Sequence, residues 1–83
     1  MTKKNTSKAA KQTAAACYAE RRTECLDLLK RIAFQLDVHE GCQRQEPANW
    51  GHAGDIGRVT EELAYVLASL GDRSAVDAKG LDY

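Results

Sequence analysis

Residues 55–71 read DIGRVTEELAYVLASLG, and their spacing decides the fold. Ile56, Val59, Leu63, Val66 and Leu70 recur at intervals of 3, 4, 3 and 4, a heptad seam along one side of a helix. Leu67 widens that stripe, while Arg58, Glu61, Glu62 and Ser69 fall on other faces. Gly71 follows the last seam residue, where a glycine in the left-handed conformation commonly ends a helix. Asp55 has the side chain of an N-cap, and its charge suits the positive helix end. The spacing predicts a helix over residues 55–70.

Towards the N-terminus a second helical stripe emerges. Tyr18, Cys25, Leu29, Ile32 and Leu36 share a seam, with Leu26, Leu28, Ala33 and Phe34 spread around it and Arg22 interrupting one seam position. Upstream the chain is rich in alanine, with Lys8, Lys11 and Gln12, all good helix formers with little to bury. The helix is expected to start between Thr6 and Ala14 and to stop before Gly41, a span of roughly 25–30 residues. Between the two helices lies HEGCQRQEPANWGHAG, residues 39–54, where Pro47 biases Glu46 away from helix. No run alternates with period two, so no strand is predicted. The tail, DRSAVDAKGLDY, offers only a Ser74-x-x-Asp77 capping pattern as a sign of structure.

This organisation reads as a flexible basic arm (1–13), a helical hairpin domain (14–71) and a C-terminal tail (72–83), all-α in class. Two unequal helices bury one side each against the other, leaving Leu26, Leu28, Phe34 and Leu67 wet. Pairing two hairpins into a four-helix bundle covers them, and twofold dimers dominate soluble oligomers. A homodimer is expected, with Cys25, Leu29, Ile32, Leu36, Ile56, Val59, Leu63, Val66 and Leu70 forming its core and dimer contacts.

An 83-residue chain makes one domain with a thin core. Its twelve basic and twelve acidic residues cancel, but unevenly. Residues 1–31 hold eight Lys/Arg against three Asp/Glu, and residues 32–83 hold four against nine, so the parts carry +5 and −5. That polarity favours contact between unlike halves. Three cysteines without a CxxC pair argue against a secreted disulfide framework and for a reducing, cytoplasmic setting. Lys8, Lys11 and Gln12 break the apolar run a signal peptide would need, and no stretch approaches a membrane span, so the reading is an unprocessed protein with no membrane partner.

His39, Cys42 and His52 are the metal-ligand candidates, with x2 spacing between the first two. A structural zinc wants four ligands, and only Glu40, Glu46 or Asp55 remains to complete the set. Cys42 near His39 lacks any oxyanion nest or nucleophile elbow, so no catalytic residue is assigned and no enzyme is expected. In NWGHAGDIG, residues 49–57, Gly51, Gly54 and Gly57 follow neither phosphate-loop pattern, and no strand precedes them. A structural corner fits better: either the glycines extend the second helix backwards and admit a close backbone, or Gly51 and Gly54 supply turns with positive φ before Asp55 caps; in both cases Trp50 precedes the helix and folds back on its first turn as a hydrophobic staple. No cofactor is expected.

The fragments NWGHAGDIGRV and ELAYVLASLG are similar to stretches in many small bacterial helical accessory proteins, a likeness that implies no role for any one residue. Three functions compete. The expected one is a non-enzymatic accessory or regulatory factor acting through protein–protein interaction, its partners being itself and an unidentified protein. The partner would meet Lys3, Lys4, Lys8 and Lys11 of the arm, or the corner around Trp50 and His52. The alternative is a dimer that binds nucleic acid through the same arm, continued by Arg21, Arg22, Lys30 and Arg31. The third is a zinc-stapled helical module.

Overall fold

The computed structural model describes residues 12–82. The basic arm with Lys3, Lys4, Lys8 and Lys11 lies outside the described residues. Three helices and no strand are present among those described: α1 (Ala14–Gln45), α2 (Trp50–Ser69) and α3 (Ser74–Lys79). The all-α expectation holds. The chain divides into two compact units, Met1–Val38 and His39–Tyr83.

Thr13 opens α1. Its Oγ1 accepts the Ala16 N–H at 3.0 Å, and its carbonyl accepts from Cys17, the pairing expected of a threonine N-cap. The helix does not stop before Gly41, as its sequence suggests, but runs on to Gln45. One interior glycine costs about 1 kcal/mol, which the favourably ordered Glu40–Arg44 pair at 3.0 Å helps to offset. The actual terminator is Pro47. Glu46 leaves the helix one residue ahead of it, and Glu46 to Asn49 form a four-residue turn.

The second helix begins earlier than its seam implies. Asn49, not Asp55, is the N-cap: its φ and ψ of −85° and 106° are extended, and its Oδ1 accepts the Gly51 N–H at 2.8 Å. A Cβ on Gly51 would stand only 3.0 Å from that Oδ1, so glycine lets the cap close. At the other end Gly71 has φ 111°. Its N–H donates to Ala68 O, and the Asp72 N–H donates to Leu67 O, the paired bonds of a Schellman motif. The glycine stop is therefore where the sequence puts it.

The segment that looks least structured supplies the most enclosed residue of the second unit. Ser74–Lys79 is helical, but Ser74 is not the cap of a capping box. Asp72 Oδ1 instead accepts from both the N–H and the hydroxyl of Ser74, at 2.9 and 2.7 Å. Those bonds hold the Asp72 carboxyl below its ordinary pKa. The short helix presses Val76, fully buried, against Ala64 and Ala68 of α2, with Ala75 and Leu81 half-buried around them. Alanines four residues apart leave room for a second backbone to come close. None of the nine residues expected to form the core and dimer contacts belongs to this buried set: Ile32, Ile56, Val59 and Leu63 are half-buried, and Cys25, Leu29, Leu36, Val66 and Leu70 are exposed.

Val76→Ala removes two methyl-sized groups from a closed site and should cost about 2 kcal/mol including the cavity. Thermal circular dichroism should show a melting temperature lower by roughly 10 °C. An unchanged melt would mean that α3 is no part of the cooperative unit.

Candidate functional site

The turn at 46–49 gathers the polar chemistry of the second unit. Because α2 starts at Trp50, His52 and Asp55 are three residues apart on one helical face. Pro47 ends α1 soon after His39, and the turn brings that histidine back to the same face. His39 Nε2 stands 3.6 Å from Asp55 Oδ2, longer than a hydrogen bond. The rings of His39 and His52 meet edge to face with centroids 5.4 Å apart. His52 Nε2 lies 3.0 Å from Glu46 Oε1, and Asn49 Nδ2 donates to the same oxygen at 3.4 Å.

Two features of this cluster stand out electrostatically. Glu46 is held below the ordinary carboxylate range, chiefly by the hydrogen bond from His52, then by that from Asn49 and by the charge on His52. His39 Nε2 is shielded from solvent and has no hydrogen-bond partner. A shielded polar atom left unpaired costs about 1–3 kcal/mol, so this nitrogen is one that a ligand, an ion or a water would satisfy.

Ligand atoms of His39, His52 and Asp55 all lie within 4.8 Å of one another. Of the three metal candidates read from spacing, the two histidines meet, but Cys42 does not join them. It is an exposed free thiol on α1, about 60° round the helix from His39, and it is not among the three residues whose ligand atoms converge. Asp55 takes the third place, and it is a helix-face residue instead of a cap. The signal that would have found it is Asn49: a cap there makes His52-x-x-Asp55 a same-face pair.

Trp50 does not fold back as a staple. It is the first residue of α2 and 85% exposed. Gly54 and Gly57 have nothing within 4 Å of where a Cβ would stand, so among the described residues no close backbone explains them. In the first unit, α1 presents Tyr18, Leu26, Leu28, Leu29, Phe34, Leu36 and Val38 exposed, and none of its residues is buried. Val38 follows Leu29 by nine residues, about 180° round the helix, so these side chains occupy opposite faces. Comparison with known proteins gives no match: no family model, curated protein or solved structure is significantly similar to the chain.

A depressed carboxyl stabilises the fold above its ordinary titration range, and that contribution is lost as pH falls through it. The wild-type melting temperature should therefore drop between about pH 5 and pH 3 more steeply than that of Glu46→Gln, which has no charge to lose. Parallel curves in that window would remove the Glu46–His52 contact from the account.

Proposed function

We propose that the protein is a non-enzymatic accessory or regulatory factor that acts through protein–protein contact. In this reading two hairpins pair as a homodimeric four-helix bundle. The observation that carries it is the apolar girth of α1 between Leu26 and Val38. Phe34 is 63% exposed and Leu29 is 52% exposed on different sides of the helix. Large apolar side chains stand on more than one side of this stretch, between Asp27, Lys30, Arg31, Gln35 and Asp37, and helices owe most of their stability to packing of such side chains. One covering surface would serve one face only; a hairpin partner within the chain and a second copy together serve both.

Charge supports the same occupant. Residues 1–31 and 32–83 carry +5 and −5, so two copies attract wherever unlike parts meet. Trp50, exposed at the start of α2, remains the candidate contact for a further protein.

At micromolar concentration, light scattering should give about twice the 9.1 kDa chain mass. Leu29→Asp should weaken dimerisation about a hundredfold or more, because an unpaired carboxylate at a covered site costs several kcal/mol. A monomer that melts cooperatively with no dependence on concentration would overturn the reading.

A second reading rests on Lys3, Lys4, Lys8 and Lys11 with Arg21, Arg22, Lys30 and Arg31, a basic run that a dimer doubles. Under the dimeric interaction reading, duplex DNA binds no tighter than about 10⁻⁵ M at physiological salt, within the non-specific range. Submicromolar binding lost on truncation of residues 1–16 would put nucleic acid in the partner's place.

A further inference from the structure

We propose that His39, His52 and Asp55 form a binding site for a first-row divalent transition metal ion of the zinc type. The donor set is two imidazoles and a carboxylate, the ligand chemistry that suits borderline cations. Three donors from one chain, leaving a coordination position open, is the composition of His/His/carboxylate centres.

Geometry brings the set within reach of closure. The three donor atoms lie within 4.8 Å of one another. Around an ion held by bonds of about 2.0–2.2 Å, neighbouring ligands stand roughly 3.3 Å apart. Side-chain rotation of about an ångström or so closes the difference, with no change in the helices that hold them. His52 and Asp55 are one helical turn apart on α2, and the turn at 46–49 supplies His39 from the end of α1.

Two further observations favour an ion over an idle polar cluster. His39 Nε2 is shielded and unpartnered while facing the Asp55 carboxylate at 3.6 Å. Coordination satisfies that nitrogen directly. Glu46 holds the His52 ring from outside at 3.0 Å, and a carboxylate bonded to a ligating imidazole is the common outer partner at metal centres. The bound ion would tie the last turns of α1 to the first turns of α2, stiffening the corner that presents Trp50.

The test is a calorimetric titration of zinc chloride into the reduced, full-length chain. One ion per chain is expected, with a Kd of about a micromolar or tighter. His39→Gln and Asp55→Asn should each weaken binding at least about tenfold, the effect that loss of an outer-shell partner alone can have. Cys42→Ser should leave it unchanged, and a cobalt-substituted sample should show no thiolate charge-transfer band. Helicity of each variant is measured without metal. Should a variant lose its fold, the imidazole NMR signals of the wild-type chain carry the test, and zinc should shift those of both His39 and His52. Binding only in the millimolar range, unshifted histidine signals, wild-type affinity in folded His39→Gln, or loss of binding in Cys42→Ser would each overturn the proposal.

Discussion

Shortage of burial is the constraint from which the rest of the molecule follows. Only Ala64, Ala68 and Val76 are buried among the described residues, all within the second unit. That cluster exists because α3 lays one valine against two small side chains of α2, held by the Ser74–Asp72 hydrogen bonds at its start and the Val76–Leu81 backbone bond at its end. A core so small cannot carry a chain of this length. The uncovered apolar surface of α1 is the other side of the same fact, and it is why the proposed activity is association.

The corner obeys a second local rule. Pro47 cannot continue α1, and Asn49 caps α2 only two residues later. Those neighbouring choices shorten the connection to four residues and set the register of α2. With that register, His52 and Asp55 share a face and His39 is carried to them. Moving the helix start to Asp55 would have dissolved the cluster, leaving one residue as a cap and another in a loop. A polar site thus depends on a backbone hydrogen bond from Gly51 to the Asn49 side chain.

The same particulars explain what could be read from residues alone. Pattern sufficed for the helical class, for the break at Pro47 and for the Schellman stop at Gly71, since each rests on a local steric or hydrogen-bonding preference. It failed at Asn49 because Asp55 is an equally good capping residue by type, and three glycines in nine residues look like a loop. It failed at Ala64 and Ala68 because a search for large apolar residues overlooks positions buried by being small. In the tail, six residues hold too little periodicity to show more than the Ser74-x-x-Asp77 pattern, though Val76 is the most enclosed side chain among the described residues. Cys42 lies near the His39 side of α1 by its spacing, but its thiol is exposed and the third donor comes from Asp55 on α2.

Covering of α1 by a second copy is the central claim, and amide hydrogen exchange along that helix tests it most directly. Amides between Leu26 and Val38 should be strongly protected at high protein concentration and should lose protection on dilution, while those around Ala64 and Ala68 change less. Equal protection of α1 at every concentration, or none at any, would contradict the account.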